Sequence, residues 1–191
     1  LELAHLKEAI PKGTGLGGFL AELQQIRRSS PETIISAASA ADRAMYDEGI
    51  VLCADICNNS LTFSIKKKSR ISYLNLLEVF ATDPGQAETR MDEVEKLSEE
   101  SERQGLPYSI VPHTVYAVSL PLFRLIKERT AENRVTSIHF METEGEEAFV
   151  KDQSGPLIET FKKAGMIADK LLTPRSCVSA ILDEVTPSGS L

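Results

Sequence analysis

"ISYLNLLEVFA" (71–81) is the stretch that decides the fold. Apolar residues occupy both alternating faces, yet the run carries a carboxylate, Glu78, near its end. A strand apolar on both sides belongs in a parallel sheet with helices packed on each face. An ionisable group inside such a strand is costly unless something satisfies it. The same pattern recurs three times. "IVLCADI" (50–56) carries Asp55, "YSIVPH" (108–113) ends on His113, and "VTSIHF" (135–140) carries His139.

Segments of helical period separate these runs. Residues 16–28 and 32–48 precede the first, with Pro31 behind Ser29 and Ser30 as a helix start and Gly49 as a stop. A short polar helix is expected over 60–68. Asp83-Pro84-Gly85 marks a turn into 86–104, where Met91, Val94 and Leu97 recur at helical spacing before Gly105. A helix over 119–133 follows the third run. An acidic helix start and two further helices, 156–164 and 176–185, follow the fourth. Strand and helix alternating in this way predict an α/β fold of parallel strands with crossover helices.

A doubly wound sheet and a barrel both fit that alternation. Four titratable residues at equivalent strand ends resemble the lining of one common site, which a barrel gathers at the C-terminal ends of all its strands. An open sheet gathers only two or three at a switch point. The expected fold is therefore a partial (β/α)8 TIM barrel. It has about four parallel strands of the eight, because a complete barrel runs to about 250 residues and this chain has 191.

Hydrophobic content of 42% and charged content of 26% are those of a globular protein, and the net charge of −7 argues against nucleic acid or an anionic membrane as partner. The one dense basic run, 66–68, reads as the solvated side of a helix. No stretch approaches the ~20 apolar residues of a membrane span, and no signal peptide opens the chain. Three cysteines, an odd number, point to a reducing compartment, and the expected location is cytoplasmic. Cys53 and Cys57 have the C-x3-C spacing of zinc ligands, but no second pair accompanies them, so they read as buried thiols. "GTGLGG" (13–18) lacks a preceding strand and reads as a flexible loop rather than a nucleotide site.

Of three histidines, His5, His113 and His139, two end strand candidates. "RVTSIHFMETEGEE" (134–147) turns sharply acidic after His139. One reading is a core histidine followed by a helix whose acidic first turn suits its dipole. The other is a hydrolytic pair: imidazole binds a divalent metal, and Glu142, left unligated, shuttles a proton. For both side chains to serve one site, the strand has to end near Phe140 and the loop has to re-aim Glu142. In "VPHTVYAVS" (111–119), Pro112 cannot donate to a ladder, so pairing ends and His113 is freed to face a site. Tyr116 reads as a packing residue. Ser119, with Pro121 behind it, reads as a helix N-cap.

Together the two motifs resemble the amidohydrolase superfamily, in its deaminase and chlorohydrolase branch, of the S-adenosylhomocysteine deaminase-like type. That branch resembles PHxxYxxS at barrel strand four and HxxExxxE at strand five. Here these are His113, Tyr116 and Ser119, then, 26 residues on, His139, Glu142 and Glu146. "EGIVLCADICNNS" (48–60) resembles the second strand and "LELAHLKEAIPKGTGLGGFL" (1–20) the segment after the first. "SCVSAILDEV" (176–185) matches less clearly.

The resemblance implies roles: His139 binds a catalytic divalent metal, zinc or alternatively iron. Glu142 relays a proton from attacking water to departing ammonia, and His113 contacts the substrate, an amino-heterocycle or nucleoside. It also implies that residues 1–191 are a single segment of a catalytic barrel lacking strand one and strands six to eight. The family's H-x-H pair would lie just before Leu1 and a strand-six histidine just after Leu191. With one metal-binding histidine, the segment alone is expected to hold no metal stably and to be inactive. A His5/His113/His139 set is a lesser possibility. Asp55 and Glu78 read as satisfied interior groups or, alternatively, as groups that orient ligands. Unpaired barrel edges predict a homo-oligomer, and a non-catalytic half-barrel that binds a partner is the rival reading.

Overall fold

A computed structural model describes residues 1–152 and 154–163. The expected helix at 176–185, residue 164 of the one before it, and Cys177 lie outside the described residues. Among the described residues, three strands form one sheet in the order β1-β2-β3: β1 is Leu52–Cys57, β2 Ser72–Val79 and β3 Tyr108–Pro112. β1 and β2 pair in parallel. The Asn75 N–H donates to the Pro107 carbonyl and the His113 N–H to that of Val79, so β2 and β3 also advance together.

The helices fall between the strands as their period requires. α1 (Gly15–Ile26) and α2 (Pro31–Asp47) precede β1. α3 (Phe63–Lys68) crosses from β1 to β2 and α4 (Ala87–Arg103) from β2 to β3. α5 (Leu120–Arg129), α6 (Glu144–Asp152) and α7 (Pro156–Lys163) follow. Local chemistry fixes their ends. Ser30 Oγ accepts from the Thr33 N–H at 3.3 Å, ahead of Pro31. Gly49 at φ 92° and Gly105 at φ 71° close α2 and α4 in the left-handed region that side chains resist.

The fourth strand expected over 135–140 does not form. That segment pairs only through one parallel bridge, Thr114 with His139. Side chains have taken the groups a ladder would use: Ser109 Oγ donates to the Val135 carbonyl, and Asn133 Nδ2 to the Ile110 carbonyl at 3.2 Å. The Ile110 carbonyl is an acceptor that a neighbouring strand's N–H would otherwise claim.

The chain divides into two compact units. Residues Leu1–Leu77 with Lys96–Tyr108 form the first. In the parallel register Cys53, Asp55 and Cys57 lie beside Tyr73, Asn75 and Leu77, so all six point to one face. Phe63 and Leu77 are fully buried. Lys66 is buried too, contrary to its reading as part of a solvated run; only Lys67 and Lys68 are exposed. Its Nζ lies 2.6 Å from Asp55 Oδ2 and donates to Cys57 Sγ and Asn75 Oδ1, both at 2.8 Å. Asn75 Nδ2 passes the chain on to Ser101 Oγ at 3.0 Å. A buried cation persists only with such partners, and the run of three lysines hid which one faced inward.

The second unit comprises Glu78–Glu95 and the residues from Ser109 on. Leu122 and Phe123 of α5 are buried in its core, as are Val111 and Val118. Tyr116, Phe149 and Phe161 form an aromatic cluster with centroid separations of 5.4, 5.4 and 5.8 Å. On the surface Arg129 is ion-paired with Glu88, Asp92 and Glu95. Because these groups are exposed, Arg129→Ala is expected to cost no more than about 1 kcal/mol in urea denaturation. The loss should shrink in high salt. Among the described residues, no helix is long and apolar enough to cross a membrane.

Candidate active site

Three donors from separate parts of the second unit converge. Glu78 is the penultimate residue of β2. His113 follows Pro112 and stays beside β2 through its own N–H, which donates to the Val79 carbonyl at 3.1 Å. His139 stays beside His113 through the bridge, its N–H donating to the His113 carbonyl at 2.9 Å. Backbone pairing thus sets all three positions. One ligand atom from each residue lies within 4.8 Å of the others.

Glu78 Oε1 sits between the two imidazoles, 2.6 Å from His113 Nδ1 and 3.2 Å from His139 Nε2. The rings meet edge to face at 5.2 Å, and Phe80 closes on His113 at 5.4 Å. The Glu78 side chain is 4% exposed while those of His113 and His139 are 31% and 38% exposed, so the cluster opens on the imidazole side. Glu78 Oε1 and His113 Nδ1 are buried and, despite their proximity, neither has an aligned hydrogen-bond partner. Lone-pair donors that converge without satisfying one another suit a divalent cation, and nitrogen with carboxylate oxygen is a donor set for zinc or iron.

Glu142 is brought in by a backbone reversal. Met141 takes φ 52°, rare for a residue with a side chain. The Glu142 carboxylate then lies 3.5 Å from His139 Nδ1 while staying 40% exposed. This is the re-aimed loop that a shared His139–Glu142 site requires. Glu146 holds it: its buried Oε2 accepts from the Glu142 N–H at 2.7 Å. Burial pushes the Glu146 carboxyl above the usual range, and hydrogen bonds from the backbone at 142 and 141 pull it partly back.

A carboxyl raised in the folded state stabilises the fold at low pH and loses that contribution as pH rises through its folded pKa. Glu146→Gln keeps an acceptor but cannot ionise. Its stability relative to the parent chain is therefore expected to increase between pH 5 and pH 8 in chemical denaturation. A constant difference across that range would contradict the burial of an ionisable Glu146.

The remaining motif residues serve packing. Tyr116 is buried in the aromatic cluster, where burial raises its hydroxyl pKa. Ser119 is the N-cap residue of α5, ahead of Pro121, but its hydroxyl makes no cap hydrogen bond; its N–H donates to the Ala81 carbonyl at 2.7 Å. The donor group contains Glu78 and not His5. Asp55 accepts a hydrogen bond from the Leu1 ammonium through Oδ1 at 2.7 Å and is ion-paired with Lys66 through Oδ2, so its satisfied interior reading fits. For Glu78 that reading does not fit, since it is the centre of the cluster. Its signal was present as a carboxylate at a strand end, on the opposite face of β2 from Asn75. The chain itself therefore presents three donors where the sequence reading counted one. "GTGLGG" leads into α1 with no strand before it.

No protein-family model matches the sequence, and no curated protein matches it either. Solved structures do. The aminofutalosine deaminase of Helicobacter pylori in complex with methylthio-coformycin is similar with a TM-score of 0.70 at 14% identity, over 88% of this chain and 43% of that one. A second structure of the same enzyme gives 0.65 at 15% identity, over 82% and 38%. This chain thus spans less than half the length of those structures. At that identity the likeness establishes the fold: an α/β partial barrel, and not a doubly wound sheet.

Proposed function

We propose that the chain is part of a metal-dependent deaminase of the amidohydrolase superfamily, which hydrolyses a C–N bond of an amino-heterocycle or nucleoside. The observation that carries this reading is the convergence of Glu78 at the C-terminal end of β2, His113 just beyond β3 and His139 bridged beside it, with Glu142 next to His139. Sites of this fold class occupy that end. The name of the structural neighbour supports the same class of reaction. The S-adenosylhomocysteine deaminase-like branch rests on the PHxxYxxS and HxxExxxE motifs alone.

In this reading His139 and Glu78, whose donor atoms converge, would hold a divalent metal, zinc or iron. When bound, the metal supplies a Lewis acid that lowers the pKa of water toward 7. Glu142 accepts the proton of the attacking water and returns it to the leaving nitrogen, which departs as ammonia. Its half-exposed position suits a group that has to reach solvent and substrate in turn. His113, exposed on the same side, contacts the ring. The enzyme would be cytoplasmic and homo-oligomeric, and the segment alone inactive.

The test is ammonia release by the natural protein, isolated with any residues that flank Leu1 and Leu191, on a panel of aminopurine nucleosides and amino-heterocycles. Saturable release abolished by a chelator and restored by zinc or iron is expected. Release unaffected by chelation would end this reading. A second reading, a non-catalytic half-barrel that binds a partner, draws on the exposed apolar residues at the entry to β1, Val51 just before it and Leu52 at its start, which are 64% and 72% exposed. A natural protein, with its flanking residues, that stays monomeric with no metal and no partner at high concentration would contradict both.

A further inference from the structure

Cys57 and Lys66 form a buried thiol–amine pair in the first unit that the proposed deaminase chemistry does not use. Both side chains are shielded from solvent, and Nζ lies 2.8 Å from Sγ. An N–H···O hydrogen bond already spans about 2.9–3.0 Å, and sulfur is larger than oxygen. The two atoms are therefore inside ordinary non-bonded contact, yet too far apart for a direct S–N bond. One bridging oxygen spans such a separation. Asp55 Oδ2 also lies close to Nζ, at 2.6 Å. Asn75 Oδ1, 2.8 Å from Nζ, holds the amine in line.

We propose that Cys57 and Lys66 are an oxidative modification site, at which peroxide links Sγ to Nζ through a single oxygen atom. Two equivalents of peroxide balance the reaction. One takes the Cys57 thiol to the sulfenic acid and leaves water. The other takes the Lys66 side chain, as its neutral amine, to the hydroxylamine and leaves water. Condensation joins the hydroxylamine oxygen to sulfur and expels a third water. Sulfur and nitrogen each give up two electrons, and the chain gains one oxygen and loses two hydrogens. Burial pushes the Cys57 thiol up to about 11, partly offset by the Lys66 charge, so the thiol is oxidised slowly. The product ties β1 covalently to α3 and is reversed by thiol reductants.

The experiment exposes the full chain to millimolar peroxide without reductant, alkylates free thiols, and measures intact and peptide masses. The expected product is heavier by about 14 Da, the balance of that oxygen and two hydrogens. It resists trypsin after Lys66, leaves Cys57 unalkylated, and reverts with dithiothreitol. Cys53→Ser keeps the product. Cys57→Ser loses it, and so does Lys66→Arg, which retains a cation but no primary amine. If either loss variant fails to fold, peptide mapping of the unsubstituted chain decides alone. A loss of about 2 Da, the signature of a disulfide or a direct S–N bond, would overturn the proposal. So would oxygen addition on Cys57 with trypsin still cutting after Lys66.

Discussion

Glu142→Gln in the natural protein is expected to lower kcat by about 10²- to 10⁴-fold, the range for removing a general acid–base group. KM should change little, because the amide keeps the shape and the loop position of the carboxylate. Stability should stay within about 0.5 kcal/mol, since Glu142 is 40% exposed and what fixes its loop is the Glu146 carboxylate on its backbone N–H. Metal content should be unchanged, because Glu142 lies outside the Glu78–His113–His139 group. Unchanged turnover on any substrate the protein deaminates would remove Glu142 from the mechanism and return it to the role of an acidic residue ahead of a helix.

The largest stability effect is expected in the first unit. Lys66→Met takes from Asp55, only 13% exposed, its 2.6 Å cation, leaving it the Leu1 ammonium at 2.7 Å, and leaves Cys57 Sγ and Asn75 Oδ1 without the Nζ donor. Breaking a buried pair in this way costs about 3–5 kcal/mol, which for a domain of ordinary stability is a large fraction of the total. Asp55→Asn should cost somewhat less, because Cys57 and Asn75 still receive hydrogen bonds from Nζ. The double variant Asp55→Asn with Lys66→Met should recover part of the sum, since it removes both members of the pair. Urea denaturation of the four proteins checks this. A cost below about 1 kcal/mol for Lys66→Met would mean that Nζ reaches water, contrary to its full burial.

Much of the fold is legible in the sequence because its signals are local. Gly49, Gly105 and Asp83-Pro84-Gly85 mark the ends that α2, α4 and β2 adopt. The apolar runs at 50–56, 71–81 and 108–113 become β1, β2 and β3. The run at 135–140 does not become a strand, because the Ser109 and Asn133 side chains claim carbonyls that a ladder needs. That competition depends on residues about 25 positions apart, so period alone cannot show it.

The site is legible to the same degree. His113, His139 and Glu142 stand out by type and spacing, and the structure brings them together. Asp55 and Glu78 look alike in sequence, each a carboxylate near a strand end. Their parity on paired strands separates them: Asp55 lies beside Asn75 on the face that receives Lys66, whereas Glu78 points the other way, between two imidazoles. The burial of Lys66 rather than Lys67 or Lys68 depends likewise on which side of a short helix meets the sheet.

Metal content measured with His139→Asn tests the central claim most directly. The natural protein, purified without chelator, is expected to carry roughly one divalent metal per catalytic chain, as a mononuclear hydrolytic site does. His139→Asn should lose most of that metal and, with it, ammonia release, while keeping a cooperative unfolding transition. Equal metal in the two proteins, or ammonia release that survives the loss of the metal, would contradict the assignment of this chain to a metal-dependent deaminase.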